Sequence, residues 1–133
     1  MSNWANHSQT ASRQDLKISN NVTWQDAFQF TPDATDWTLE GQMFELDVQR
    51  NPYDASPLLS LSSAENEIII ADVIKRVVYM NVDAQAIQES LSPGIYVYDL
   101  VMIAGNDPAP PAVRVALMYG TLEVVQGVTY PPV

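Results

Sequence analysis

The segment SPGIYVYDLVMIAG, residues 92–105, has the period-two alternation of a β-strand and is largely apolar on both of its sides. One side carries Tyr96, Tyr98, Leu100 and Met102, and the other carries Ile95, Val97, Asp99, Val101 and Ile103. A strand with one face in water has apolar residues on only one side. The segment therefore predicts a strand that packs into a core on its tyrosine side and is covered by something else on its other side.

Shorter strand-like segments lie on both sides of this one, and turn signals rich in Pro, Asn and Asp separate them. They cover residues 16–19, 21–30, 41–50, 58–63, 66–71, 75–82 and 113–128, the last with a bulge expected at Gly120. Residues 83–91 predict one short helix with Asp83 as its N-cap. Many short strands with frequent turns and one helix predict an all-β fold, an immunoglobulin-like antiparallel β-sandwich.

The length of 133 residues suits a single domain. Residues 1–14 are polar and predict a flexible N-terminal arm. The sandwich is expected over residues 15–130, and residues 131–133 form a short C-terminal tail. The first fifteen residues lack the apolar core of a signal peptide.

The composition is that of a globular protein, with 47% hydrophobic and 17% charged residues. The net charge of −10 and the absence of any Lys/Arg cluster argue against nucleic acid as a partner. No apolar run approaches the roughly 18 residues of a membrane span, so a membrane is not expected as a partner either. The chain has no cysteine, which excludes disulfides, thiolate nucleophiles and cysteine metal ligands.

Two interpretations of the tyrosines in GIYVYDL remain open. In immunoglobulin-like sandwiches a tyrosine near the start of one strand holds the preceding corner through its hydroxyl group. Tyr96 follows a Pro-Gly corner and fits that role, with Tyr98 two positions further on. The alternative is that both are ordinary core aromatics, and both interpretations give the same fold.

The residues that carry chemistry predict no catalytic centre, no metal site and no cofactor. The single histidine, His7, lies in the polar arm, and no catalytic or phosphate-binding motif is present. The acidic pairs Glu45/Asp47 and Glu65/Glu67 fit the wet side of strands and turns better than they fit a glycosidase or calcium site.

Three further acidic residues, Asp33, Asp36 and Asp99, are candidates for a special role. Asp33 and Asp36 share a loop but lack the spacing of a calcium-binding loop. Asp99 interrupts an apolar face, and Arg114 on the following strand is its expected structural partner in an ion pair.

Four segments, in this order along the chain, carry a resemblance to a known family. They are WTLEGQMFELDVQR (37–50), LLSLSS (58–63), LSPGIYVYDL (91–100) and YGTLEVVQGVT (119–129). Together they resemble the small β-sandwich domains of tailed-bacteriophage virions, including the N-terminal domain of upper baseplate and tail-fibre proteins. The turn TLEG, residues 38–41, departs from that family's preference for Asp and Thr.

The resemblance implies a non-enzymatic structural protein of the virion, made in the cytoplasm of the host bacterium. It implies a multi-copy adaptor in the tail, neck or baseplate that anchors fibres, with other virion proteins and copies of itself as partners. A capsid decoration protein is the alternative within the same class. A carbohydrate-binding module for host attachment is a second alternative, although Trp4, Trp24 and Trp37 are not spaced as a sugar-binding platform.

The second apolar side of residues 92–105 then has two explanations. It forms a subunit interface, for which the candidate residues are Ile95, Val97, Val101 and Ile103. Alternatively, residues 51–57 or the N-terminal segment fold over it. Asp99, Arg114, Tyr96 and Tyr98 are expected to have structural roles.

Overall fold

The structure, a computed structural model, describes residues 11–30, 39–104 and 113–129 of the chain. The strands in these ranges are β1 Ser12–Arg13, β2 Leu16–Ser19, β3 Trp24–Gln29, β4 Met43–Gln49, β5 Leu59–Ser62, β6 Ile68–Asp72, β7 Val77–Val82, β8 Gly94–Ala104 and β9 Val113–Val125. A helix α1 spans Ala84–Ser90, and a 3₁₀ turn spans Ser63–Glu65. The predicted all-β sandwich with one short helix is confirmed.

The strands form two sheets. The large sheet has the order β1-β9-β8-β4-β5, and β2 also pairs with β9. The small sheet has the order β3-β7-β6. Pairing is antiparallel except that β1 and β2 run parallel to β9, so the large sheet is mixed and not purely antiparallel as expected.

The core lies between the two sheets and follows the predicted alternation. In β8 the four residues on the tyrosine side are buried, and in β4 the side chains of Phe44, Leu46 and Val48 are fully buried. The small sheet contributes buried residues such as Val78 and Met80. Each such side chain contributes about 1.5–3 kcal/mol when it leaves water, so packing holds a chain that has no disulfide.

The helix α1 connects β7 of the small sheet to β8 of the large sheet. The Asp83 side chain accepts a hydrogen bond from the Gln85 amide nitrogen at 3.2 Å, which confirms it as the N-cap. Ile87 and Leu91 are buried against the core. No helix formed by the described residues is long and apolar enough to cross a membrane.

The first strand corrects the expected extent of the N-terminal arm. Ser12 and Arg13, which the sequence assigned to a flexible arm of residues 1–14, pair with Met118 and Tyr119 of β9. Both side chains are exposed at the edge of the sheet, so this strand has no apolar residue from which it could be predicted. Residues 1–10 of that arm, and the tail 131–133, lie outside the described residues.

The irregularity in β9 lies at Leu117, three residues before the expected position. The β8–β9 register shifts between Leu100, opposite Met118, and Val101, opposite Ala116. Leu117 is the extra residue, and Leu117 and Met118 are consecutive buried residues. The bulge changes which residues of β9 share a row with those of β8.

Candidate functional site

The candidate site is the outer face of the large sheet, where β8 lies between β4 and β9. All four predicted interface residues belong to this face. Ile95 is 65% exposed, whereas Val97, Val101 and Ile103 are half-buried by neighbours. Residues 51–57 reach the margin of the face through Pro52 but leave Ile95 open. Within the described residues, therefore, no segment of the chain covers Ile95, and the other three residues of this apolar strip are covered only in part.

A polar row divides the apolar strip into two halves. Asp99 is the register partner of Tyr119 on one side and of Asp47 on the other. Ser60 continues the row on β5, and its hydroxyl donates to Asp47 Oδ1 at 2.6 Å. Ile95 and Val97 lie on one side of the row, and Val101 and Ile103 on the other.

A groove of about 420 Å³, here called the outer groove, opens at this polar row. Its lining residues include Arg13, Asp47, Gln49, Pro52, Val97, Asp99, Tyr119 and Thr121. Tyr119 is 43% exposed and presents an aromatic side chain to the solvent. The outer groove thus combines carboxylates, apolar contacts and one aromatic ring.

The electrostatics of the outer groove are those of two facing carboxylates. Partial burial, followed by the charge of Asp47, raises the pKa of Asp99, and the positive charge of Arg114 opposes that shift. Like charges directly opposite each other in a sheet are destabilising. Asp47 and Asp99 therefore form a locally unfavourable pair that a cation would relieve.

The predicted ion pair between Asp99 and Arg114 is wrong. Arg114 lies opposite Ile103, four residues beyond Asp99 along β8, and its Nη2 atom donates to Glu45 Oε2 at 2.9 Å. The register of the β8–β9 hairpin decides this, and spacing in the sequence does not reveal it. The remaining cation at the groove, Arg13, lies 3.4 Å from Asp15. Among the described residues, no cation forms an ion pair with Asp47 or Asp99.

The N-terminal segment forms one wall of the outer groove. Asp15 Oδ1 accepts hydrogen bonds from the Thr121 amide nitrogen at 3.0 Å and from the Thr121 hydroxyl at 3.1 Å. The backbone bond from Thr121 is the main reason why the pKa of Asp15 is lowered. A Cβ atom at Gly120 would collide with the carbonyl oxygen of Gln14, so glycine allows this close approach.

Both tyrosines of β8 support this face from beneath. The Tyr98 hydroxyl donates to the Gln14 carbonyl oxygen at 2.6 Å, and burial raises the pKa of Tyr98. The Tyr96 hydroxyl donates to the Ser92 carbonyl oxygen at 2.5 Å, which is the hydrogen bond of a tyrosine corner. The guanidinium of Arg50 lies 5.1 Å from the centre of the Tyr96 ring. The corner interpretation of Tyr96 is therefore the correct one.

Sequence reasoning missed a second exposed feature, the turn between β6 and β7. Val73, Ile74 and Lys75, here called the 73–75 tip, are all exposed, with Ile74 at 87%. The sequence predicts a strand from residue 75 because Lys75 and Arg76 run directly into its apolar residues, whereas β7 begins at Val77. The sequence does contain a signal for an exposed apolar turn: Val73 and Ile74 stand at positions where turns favour Gly, Asn, Asp or Pro.

The remaining candidate residues have structural partners or lie elsewhere. Glu45 pairs with Arg114, and Glu67 Oε1 accepts from the Ser62 amide nitrogen at 3.3 Å. The described residues contain no group of three or more His, Asp or Glu side chains that could hold a metal ion. Trp24 is buried in the core and is therefore not exposed for sugar binding. The other residues weighed for chemistry or sugar binding lie outside the described ranges: His7, Asp33, Asp36, Trp4 and Trp37.

No protein-family model matches the chain, and no curated protein matches it in sequence.

Proposed function

We propose that the protein is a non-enzymatic assembly module of a tailed-phage virion, working in several copies as an adaptor in the tail, neck or baseplate. The observation that carries the proposal is the apolar strip on the outer face of the large sheet, in which Ile95 is exposed and the other three residues are half-buried. Ile95 lies at one end of that strip with most of its side chain in water.

The physical argument is the free energy of covering that strip. Apolar surface gains about 25 cal/mol for each Å² removed from water, and a contiguous exposed patch rimmed by polar groups is typical of a protein interface. Glu45 and Arg114 provide polar groups beside Val101 and Ile103 on the neighbouring strands, and the polar row separates this half of the strip from Ile95 and Val97. A rigid sheet also presents the strip with little ordering cost on binding.

The assignment to a virion rests on the ordered resemblance of residues 37–50, 58–63, 91–100 and 119–129 to phage β-sandwich domains. The net charge of −10 suits a module that docks on protein and stays away from the packaged nucleic acid. A capsid decoration protein would use the same surface in the same way.

The test is size-exclusion chromatography with light scattering on the purified protein and on two charged variants. We expect the wild type to elute as an oligomer and Val97→Lys or Val101→Lys to lower its mass, because a buried ammonium group opposes association. Gln25→Lys is the matched control, since it adds the same charge on exposed β3 of the small sheet. A wild-type monomer, or Val97→Lys and Val101→Lys variants that both assemble normally, would refute the proposal.

Carbohydrate binding is the second candidate, and one observation favours it. Tyr119 is exposed in the outer groove beside the carboxylates of Asp47 and Asp99, a combination suited to stacking on a sugar ring and accepting hydrogen bonds from its hydroxyls. Retention on immobilised lipopolysaccharide or peptidoglycan, lost in Tyr119→Ala while the oligomeric mass stays unchanged, would support this candidate over assembly.

A further inference from the structure

We propose that copies of this chain join head to tail, with the 73–75 tip of one copy seated in the outer groove of the next. The inference rests on the proposed assembly function and names the partner of its surface. Four features support it. The tip projects an exposed apolar side chain, the groove offers a concave surface for it, the two carry opposite charges, and a symmetric contact would bring like charges together.

The 73–75 tip is rigid and apolar. The Asp72 carboxylate accepts a hydrogen bond from the Lys75 amide nitrogen at 2.9 Å, and Gln29 Nε2 donates to the Lys75 carbonyl oxygen at 3.0 Å. Arg76 closes the turn with a φ of 57°. These contacts fix a turn whose most prominent side chain, Ile74, is nearly fully in water. A pre-organised projecting apolar group is suited to insertion into a concave surface.

The outer groove is the concave counterpart. Val97 and Pro52 offer apolar contact for a side chain such as that of Ile74, and the ring of Tyr119 lies beside them. Asp47 and Asp99 lie at the same place. Their like charges are tolerated in water but become costly when a protein covers them without a cation.

The charges of the two features are complementary. Arg114 and Arg13 form their ion pairs with Glu45 and Asp15, so neither Asp47 nor Asp99 has an ion-pair partner within the described part of its own chain. Lys75 is exposed next to Ile74, and none of the described carboxylates forms an ion pair with it. Seating the tip in the groove brings this ammonium group to the carboxylate pair while Ile74 covers the apolar floor.

The symmetric alternative, two copies joined face to face through the large sheet, is electrostatically worse. It would bring Asp47 and Asp99 of both copies into one interface, and partial burial already raises the pKa of Asp99 in the free chain. A head-to-tail contact uses two different surfaces and closes into a ring or continues as a filament.

Complementation of two variants tests the inference. The tip variant is Ile74→Asp with Lys75→Glu, and the groove variant is Asp99→Lys. Each alone is expected to raise the dissociation constant about 10- to 100-fold, the range for losing one buried aliphatic side chain, and to elute as a monomer in light scattering. Mixed in equal amounts, they should give a complex that stops at two chains, because one supplies an intact groove and the other an intact tip.

Lys17→Glu is the control for the tip variant, because Lys17 is exposed on β2 away from the tip and undergoes the same charge reversal. Urea unfolding of each variant verifies that the fold is retained. If the tip variant does not fold, Ile74→Ser is used in its place. A wild-type oligomer that the tip variant leaves intact, or a mixture that stays monomeric, overturns the head-to-tail contact and leaves assembly itself standing. A monomeric wild type overturns both.

Discussion

At the scale of single residues, the Tyr96 hydroxyl is the group whose role is most sharply defined. It donates to the Ser92 carbonyl oxygen at 2.5 Å from a side chain that is almost fully buried. We predict that Tyr96→Phe lowers the free energy of unfolding by about 1–2 kcal/mol. The substitution removes the hydrogen bond to the Ser92 carbonyl oxygen, and the phenylalanine ring offers no donor in its place. Urea unfolding followed by circular dichroism measures the change.

Tyr79→Phe is the matched control for that substitution. Tyr79 lies on β7, and the described residues provide no hydrogen-bond partner for its hydroxyl. Its removal is expected to change the urea midpoint little. Equal effects of the two substitutions would mean that Tyr96 acts through its ring alone.

Asp99 is predicted to weaken the fold at neutral pH. Its pKa is raised by partial burial and by Asp47, so the native state holds the Asp99 proton more tightly than the unfolded state does. Stability therefore falls as pH rises from the unfolded-state pKa of about 3.9 through the higher folded-state value. Asp99→Asn is expected to stabilise the protein at pH 7 by up to about 1 kcal/mol, the range for like charges facing each other in a sheet.

The measurement for Asp99 is the urea midpoint of wild type and variant across pH 3–8. The stabilisation by Asp99→Asn should shrink toward pH 3, where the wild-type carboxyl is protonated. Asp47→Asn should act in the same direction, because its amide oxygen can still accept from Ser60. An Asp99→Asn variant that is less stable than wild type at pH 7 would contradict the like-charge interpretation.

At the scale of elements, the N-terminal segment 11–20 depends on a few polar contacts for its place beside β9. Asp15 binds Thr121 near one end, and at the other the buried Asn20 accepts from the Gly127 amide nitrogen at 2.9 Å. Between them β2 pairs with four residues of β9. The segment is thus held by polar contacts at both ends and by the β2–β9 pairing between them, and it is expected to open as one unit.

We predict that Asp15→Ala releases β1 from β9 while the rest of the sandwich stays folded. Native-state hydrogen exchange should show faster exchange of the Gln14 amide, which donates to the Tyr119 carbonyl oxygen at 2.8 Å, and unchanged exchange in β4. Because the folded-state pKa of Asp15 is lowered, its contribution is present above about pH 4 and is lost as pH falls through the folded-state value. Unchanged protection of Gln14 in the variant would contradict this.

The sequence predicted elements well wherever their signal was local. The alternation of residues 92–105 identified β8 and its inner face, and Asp83 identified the start of α1. It failed where distant pairing decides the outcome. The parallel pairing of β2 with β9 joins residues about a hundred positions apart, and the register of the β8–β9 hairpin places Tyr119, not Arg114, opposite Asp99.

The candidate site was predicted only in part, for the same reason. One strand's sequence was enough to predict its apolar outer residues. The outer groove, however, gathers residues from the N-terminal segment, β4, β8 and β9. Its carboxylate pair exists only because the β4–β8 register places Asp47 opposite Asp99. The 73–75 tip was missed because an apolar turn contradicts ordinary turn chemistry.

At the scale of the whole molecule, the first and the last of the described strands lie in the same sheet. β9 pairs with β8 and with both N-terminal strands, so the large sheet is completed only by the last strand. Such non-local pairing makes folding slow compared with helical proteins of the same size. The sandwich cannot be divided into an independent N-terminal part and a C-terminal addition.

A chain that ends before β9 is therefore predicted not to fold. Deleting residues 113–133 removes five buried side chains, those of Val115, Leu117, Met118, Leu122 and Val124. Together they contribute about 10 kcal/mol, which matches the entire stability of a typical domain. It also leaves β1 and β2 without a partner strand and exposes an edge of β8 along its full length.

Circular dichroism and ¹H–¹⁵N correlation spectra measure that outcome: the truncated chain should lack β-sheet ellipticity and amide dispersion, and it should aggregate through the open edge of β8. Deleting only residues 130–133 is the control, because every register pair of β9 lies at or before Val125. A dispersed spectrum from the longer deletion would mean that β4, β5 and β8 with the small sheet already form a stable core. The parallel N-terminal strands would then be an attachment to the fold, and the outer groove, which needs β9 for Tyr119 and Thr121, would be lost without loss of the fold.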